Sequence, residues 1–114
     1  MKLEVGMYCY NKTNRKLGIG EIISFQRNNN VNIKYKNDIE LVSNGNIEAS
    51  NNIKDLIEVG DIITYEFPTG LGMLRYENVT VLEDLLNILK SSDEYKILTI
   101  ITREQIESMQ YKVD

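Results

Sequence analysis

Few side chains in this 114-residue chain could perform covalent chemistry. Cys9 is the only cysteine and the chain has no histidine, so a thiolate at Cys9 would lack the base that usually generates one. We therefore interpret Cys9 as a small apolar side chain within a strand. A lone cysteine also excludes an internal disulfide, which is typical of a reducing compartment, and with no histidine it excludes the usual zinc sites.

The carboxylates do not form an obvious acid–base pair either. They occur as the neighbours Glu83-Asp84 and Asp93-Glu94, and adjacent side chains on a helix point in different directions. The segment Gly18-Ile19-Gly20 lacks the third glycine, the following helix and the lysine of a phosphate-binding loop. The sequence therefore predicts a protein that is not an enzyme and that binds no cofactor or metal.

The side chains most suited to binding a ligand are cations and tyrosines of the first half. Residues 1–54 contain eight Lys or Arg and five Asp or Glu, a net charge of +3, whereas residues 55–114 carry −7. Basic loops with interleaved aromatic rings can bind nucleic acid, but a pI of about 4.9 argues against it, and solvated surface charge is the alternative. The candidate binding residues are Lys12, Arg15, Lys16, Arg27, Lys34, Lys36, Tyr8 and Tyr10.

The elements that must position these side chains follow from an internal repeat. The phrase LEVG at 3–6 recurs as IEVG at 57–60, and LGI at 17–19 recurs as LGM at 71–73, with the same offset. Two copies are too few for a solenoid. The repeat therefore predicts a pseudo-symmetric pair of small units, residues 1–56 and 57–114.

The first copy is predicted to be a series of short strands. Gly6 can take the positive φ of a sharp bend, and Val5, Met7 and Cys9 then share one strand face. Further strands are expected at 17–25, 31–36 and 39–42, with a turn at 27–30. Asn44-Gly45 is typical of a type I′ hairpin. Ser50 is expected to cap a helical turn that ends at residue 56, and 56–59 would form the last strand.

The second copy departs from this pattern in its middle. Strands are expected at 61–67, 71–79 and 95–102, the last covered on both faces. Thr80 and Glu83 fit a capping box, and leucines at helical spacing (82, 85, 86 and 89) predict a helix at about 81–91 that covers the sheet or supports a dimer. A buried strand pair is the competing interpretation of this segment. Thr102 and Gln105 predict a capped C-terminal helix, and 111–113 would be the last strand.

The order VGxxV, loop, LGxGxI, turn, VxIxY resembles small barrels of the KOW and Tudor type. The predicted fold is therefore mainly β: tandem duplicated SH3-like small β-barrels, with one helix inserted in the second copy and a short C-terminal helix. Such barrels bind proteins, peptides or nucleic acids, so the fold alone fixes no function.

Two segments carry a further resemblance, NNIKDLIEVGDII at 51–63 and ILTIITREQIESMQYKV at 97–113. They resemble small proteins of phages and prophages of low-GC Gram-positive bacteria, whose tail reads I-V-T-x-E-Q-F-E-x-M-x-Y-K-V. Ile106 replaces the usual Phe, and the insert LEDLLNILKSSD departs from the pattern. The group has no assigned activity, so the resemblance implies a mobile-element origin and not a mechanism.

The expected function is a non-enzymatic interaction module that binds a protein. The alternatives are a nucleic-acid-associated accessory protein that uses the basic N-terminal half, or a virion or assembly component. No apolar run approaches the length of a membrane helix and no signal peptide is evident, so a cytoplasmic location in the bacterial host is expected. The predicted oligomeric state is a monomer or weak dimer.

Overall fold

The computed structural model of the protein describes residues 2–109, which form two antiparallel sheets and two helices. The first sheet has the strand order β4-β3-β2-β1-β5. Its strands are β1 (Tyr8–Asn11), β2 (Gly20–Gln26), β3 (Asn30–Lys34), β4 (Ile39–Ser43) and β5 (Ile47–Ser50). Short 3₁₀ helices span Arg15–Leu17, Asn44–Asn46 and Ile53–Leu56.

The second sheet has three strands in the order β7-β6-β8. They are β6 (Ile62–Thr69), β7 (Gly72–Thr80) and β8 (Lys96–Ile101), with helix α1 (Glu83–Ser91) between β7 and β8 and helix α2 (Arg103–Met109) after β8. The prediction of a mainly β chain is confirmed. The predicted barrels are not observed, because over residues 2–109 both sheets are open: β4 and β5 do not pair, and three strands are too few to close.

Each sheet has its own apolar core. In the first sheet Val31, Ile33 and Tyr35 are buried while the residues between them face outward, which confirms the predicted alternation. The core of the second sheet forms where Ile63 and Val81 meet α1.

The turns that lead into the two sheets share one hydrogen-bonding pattern. Gly6 and Gly60 have φ values of +95° and +98°, which confirms the positive φ expected of the first. In the first turn the bonds are Met7 N to Glu4 O (3.2 Å), Gly6 N to Ile22 O (2.9 Å) and Ile22 N to Met7 O (3.0 Å). In the second turn they are Asp61 N to Glu58 O (3.1 Å), Gly60 N to Val81 O (2.9 Å) and Val81 N to Asp61 O (2.8 Å).

Four predictions for the first copy are wrong in their details. Asn44-Gly45 starts a 3₁₀ helix and not a type I′ hairpin, because β4 and β5 lie at opposite edges of the sheet. Residues 56–59 form no strand, and β5 is the last strand of this sheet. The 3₁₀ helix Ile53–Leu56 is capped by Asn52, while Ser50 instead accepts a bond from the Asn52 N–H and donates one to Asp55. Val5, placed on the buried face with Met7 and Cys9, is 61% exposed.

The helices of the second copy are confirmed, but only one capping box is. Thr102 and Gln105 bond reciprocally at the start of α2, at 2.8 and 3.1 Å. Thr80 is the last residue of β7 and pairs with Ile62, so α1 begins two residues later than the box requires and has no side-chain cap. Strand β8 is half-buried, contrary to the coverage expected on both faces. The strand predicted at 111–113 lies outside the described residues.

The leucine stripe of α1 mostly covers the sheet. Leu89 is fully buried, and Leu85 and Leu86 pack against the same core. Leu82, which precedes the helix, is 64% exposed. The helix therefore closes one face of the second sheet, as expected of an amphipathic helix.

Candidate functional site: a groove between the two sheets

Arg15, one of the predicted binding residues, holds the two sheets together. Its guanidinium donates two parallel hydrogen bonds to the Asp61 carboxylate, Nη1 to Oδ1 and Nη2 to Oδ2, each 3.0 Å. Nη1 also donates to Glu104 Oε2 at 2.9 Å and Nη2 to the Leu56 carbonyl at 2.9 Å. Because Arg15 precedes β2 and these partners belong to the second unit or lead into it, the guanidinium joins one unit to the other.

The remaining contacts of Arg15 are also intramolecular. Its Nε lies 3.1 Å from Glu58 Oε2, an ion-pair distance, although its N–H is not aligned with an acceptor among the described residues. The guanidinium stacks 4.7 Å from the centre of the Tyr10 ring, whose hydroxyl donates to Glu58. Burial alone would lower the pKa of Arg15, but hydrogen bonds to Asp61 and Glu104 outweigh burial and raise it. Arg15 and Tyr10 are therefore occupied within the protein.

The backbone and neighbours of Arg15 strengthen this joint. Thr102 Oγ1 donates to the Arg15 carbonyl at 3.0 Å. Gly18, with φ of +87°, lies so close to Gln105 that a Cβ would come within 2.6 Å of the amide. Lys54 Nζ donates to the Ser92 carbonyl at the C-terminus of α1, at 2.7 Å. These contacts fix the spacing between the sheets.

That spacing leaves a groove of two adjoining depressions, with volumes of about 560 and 310 Å³. Both are bounded by Ile19, Lys36, Thr99 and Ile100. The wider end continues along apolar side chains that include Leu17, Ile101 and Met109. The narrower end is lined by Tyr8, Glu21, Lys34, Tyr35, Ile53 and Leu98 among others.

One wall of the groove is the edge strand β8. This strand pairs only with β6, so its outer N–H and C=O groups have no strand partner in residues 2–109. Four consecutive residues of β8, Leu98 to Ile101, line the groove. The groove thus combines an apolar floor with an unpaired strand edge.

The structure brings three of the eight predicted binding residues together here. Tyr8, 39% exposed, and the exposed Lys34 and Lys36 line the groove. Lys16 lies in a separate depression beside Glu104 and Glu107. Lys12 is exposed after β1, and Arg27 is exposed in the loop between β2 and β3. The six cations therefore do not form one continuous patch.

Sequence reasoning missed the apolar wall of this groove. Leu98 and Ile100 stand in a segment, YKILTIIT, whose apolar side chains were assigned to a strand covered on both faces. In the fold that strand is an edge. The sequence alone carried no signal for this position, because a strand covered on both faces and an apolar edge strand have the same composition.

Cys9 lies in the core of the first sheet, as its sequence context predicts. The side chain is fully buried, and burial together with the charge of Glu21 raises the pKa of its thiol to about 12. The thiol is therefore protonated at neutral pH. In this conformation Cys9 contributes packing and no nucleophile.

Comparison with protein-family models, with curated proteins and with solved structures produced no match. Among residues 2–109 no helix is long and apolar enough to cross a bilayer. The resemblance of the tail segment to phage and prophage proteins stays a prediction. The functional conclusion therefore depends on the geometry of the groove.

Proposed function

We propose that this protein is a non-enzymatic binding module that takes up an extended segment of a partner protein in the groove beside β8. The observation that carries the proposal is the unpaired edge of β8 within an apolar-floored groove. An extended peptide can bind such an edge through its main chain, while its alternate side chains occupy adjacent pockets.

The chemistry of the groove defines the segment it would accept. One face of a bound strand would meet apolar side chains such as Ile19 and Ile100, which favour Val, Ile or Leu. The other end would meet Lys34 and Lys36, which favour Asp or Glu. The expected ligand is therefore a strand that alternates apolar residues and carries acidic residues at one end.

Nucleic-acid binding through the basic half is the alternative function. Tyr8 beside Lys34 and Lys36 is the arrangement that favours it. Against it, Arg15 is neutralised by carboxylates, the other cations are dispersed, and the floor between the lysines and Met109 is apolar. A peptide accounts for more of these features than a phosphate backbone does.

We infer the evolutionary origin of this arrangement from strand order. The order β5-β1-β2-β3-β4 with a 3₁₀ helix before β5 is SH3-like, and β8-β6-β7 reproduces its β5-β1-β2 part. The matched hydrogen bonds of the two leading turns support a duplication. On this interpretation α1 stands where the second copy would otherwise have its third and fourth strands.

The test is selection from a displayed library of random 12-residue peptides on the immobilised protein. Enriched peptides should alternate apolar residues and end in acidic ones, and binding should protect the amides of Leu98–Ile101 from hydrogen exchange. The variant Lys34→Glu/Lys36→Glu should weaken binding about tenfold or more. The matched variant Lys12→Glu/Lys16→Glu, with the same charge change outside the groove, should bind as the wild type does.

Two results would reject the proposal. The first is selected peptides without an alternating pattern that bind both lysine variants equally and leave β8 unprotected. The second is a salt-dependent shift of mixed-sequence single- or double-stranded nucleic acid, abolished by Lys34→Glu/Lys36→Glu. Seen without peptide binding, that second result would establish the alternative function.

A further inference from the structure

Strand β7, at the edge of the second sheet opposite β8, is exposed along almost its whole length. Eight of its nine residues are exposed, and the exposed fractions of Met73, Leu74 and Tyr76 are 58%, 42% and 42%. Long, apolar edge strands are templates for pairing with another chain and are normally protected. The exposed edge of β7 is therefore a surface on which another strand can pair.

The first sheet has a strand at the corresponding position. Strand β2 pairs with β1 on one side and with β3 on the other, whereas β7 pairs only with β6. After β7 the chain turns into α1 and leaves the outer edge without a strand partner in residues 2–109. The outer edge of β7 and the free edge of β8, which borders the groove, lie on opposite sides of the three-stranded sheet.

The charges of β7 suit a second copy of the same strand. If two β7 strands pair antiparallel about a two-fold axis, the residue on the axis faces its own copy, and residues equally far before and after it face each other. Residues paired in this way point to the same face of the sheet. An axis near the middle of the strand passes Leu74, Arg75 or Tyr76. An axis at Arg75 opposes two like charges, and an axis at Leu74 opposes Arg75 to Met73. Only an axis at Tyr76 opposes Arg75 to Glu77, and it does so twice.

The same register continues two features of the sheet. Arg75 already lies 3.5 Å from Glu66 on β6, so pairing would place a carboxylate on each side of its guanidinium. Tyr76 stacks on Phe67 with the ring centres 5.8 Å apart, and its ring is tilted against that of Tyr65, with the centres 5.5 Å apart. A second Tyr76 opposite the first would extend this aromatic layer across the axis.

The bulge of β7 limits how far the pairing extends. Asn78 has φ of +51°, and the register with β6 shifts beside it. The regular part of the edge therefore runs from Gly72 to Glu77. This part contains every residue that the register at Tyr76 uses for its charge pairs.

We propose that two copies of the chain associate through antiparallel pairing of β7 with β7, with Tyr76 on the two-fold axis. The product is one continuous sheet of six strands, three from each copy. The partner at this edge is the protein itself, and the outer edges of the combined sheet are the two β8 strands with their grooves.

Sedimentation equilibrium of the wild type and charge variants tests the association. The wild type should approach twice 13.2 kDa with increasing concentration. Glu77→Arg opposes arginine to arginine at both symmetric sites and should weaken the dimer about tenfold or more. The inversion Glu66→Arg/Arg75→Glu/Glu77→Arg should restore it. Glu94→Arg, an exposed change away from β7, should have no effect.

Cysteine substitution tests the register. Antiparallel partners on the axis have Cα atoms about 4.5–5.5 Å apart, within the range of a disulfide. Tyr76→Cys should therefore cross-link the dimer under mild oxidation, whereas Leu74→Cys should not. Cross-linking at position 74 alone would overturn the register. Two results would overturn the interface. One is a wild-type mass that remains at 13.2 kDa up to about 1 mM, and the other is a dimer whose dissociation constant does not change in Glu77→Arg.

This outcome is independent of the proposed function. Peptide selection reports on β8, and sedimentation of Glu77→Arg reports on β7. A dimer that binds no peptide, or a monomer that binds one, would separate the two conclusions.

Discussion

Replacing Arg15 with methionine should destabilise the protein more than any other single loss of charge described above. The substitution keeps an unbranched side chain of similar length but leaves the Asp61 carboxylate, which is 0% exposed, without a cation. Breaking a buried ion pair by removing one partner costs about 3–5 kcal/mol. Asp61 keeps hydrogen bonds from the backbone N–H groups of Glu58 and Arg103, so we expect the lower end, about 3 kcal/mol.

Urea denaturation measures this loss directly. With a slope of about 1–3 kcal/mol/M, a loss of about 3 kcal/mol lowers the midpoint by about 1–3 M. Lys12→Met removes an exposed cation from the same segment between β1 and β2, and its free energy of unfolding should stay within about 0.5 kcal/mol of the wild-type value. The double variant Arg15→Met/Asp61→Asn removes the unpaired buried charge, but the asparagine oxygen can accept only one of the two backbone N–H bonds that Asp61 receives. Asp61→Asn should therefore still cost stability, but less in the Arg15→Met background than in the wild type.

Either of two results would refute this reasoning. One is a loss below about 1 kcal/mol for Arg15→Met, which would mean that Asp61 is adequately solvated or paired without the guanidinium. The other is simple additivity, in which Asp61→Asn costs as much in the Arg15→Met background as in the wild type. Both results would place the main contact between the sheets elsewhere.

Two further predictions concern the surroundings of this joint and the first sheet. Burial would raise the pKa of Glu104, but its hydrogen bond from Arg15 lowers it. Its stabilising effect is then present above the usual glutamate pKa of about 4.3 and lost as pH falls through the lowered value, so urea midpoints of Glu104→Gln and wild type should differ at neutral pH and converge in acid. Gly20→Ala would bring a Cβ within 2.6 Å of an Ile33 methyl and 2.8 Å of a carbonyl oxygen and should cost about 1–3 kcal/mol. Gly45→Ala meets nothing within 4 Å and should be neutral or stabilising by up to about 1 kcal/mol; equal midpoints for the two alanine variants would contradict the contact.

Features set by neighbouring residues could be predicted from the sequence. The alternation of VNIKYK places Val31 and Ile33 in the core because strand faces alternate whatever the surroundings. Thr102 and Gln105 bond each other across one helical turn, so their capping box needs no distant partner. The left-handed φ values of Asn28 and Asn29 likewise follow from an asparagine turn between paired strands.

Features set by distant residues could not be predicted in the same way. Asn44-Gly45 has a strong local preference for a hairpin, but the chain must reach the far edge of the sheet at this point, and that requirement prevails. Arg15 resembled an exposed basic residue because Asp61 and Glu104 lie 46 and 89 positions away. The groove arises from the same long-range contact, so its lining was equally hidden.

The two turns that share a hydrogen-bonding pattern are used differently in the joint between the sheets. Met7 and Asp61 occupy the same place in the two matched turns, and each receives a bond from the amide three residues earlier, at its sulfur in one case and at Oδ2 in the other. Met7 then fills the core of its own sheet, whereas Asp61 turns a carboxylate toward Arg15. If the units descend from one ancestor, as proposed above, this one change replaces an apolar core position with a binding site for the other unit. The residue 54 positions after Arg15 is Thr69, which carries no charge, so the second unit cannot offer the same cation to a further copy.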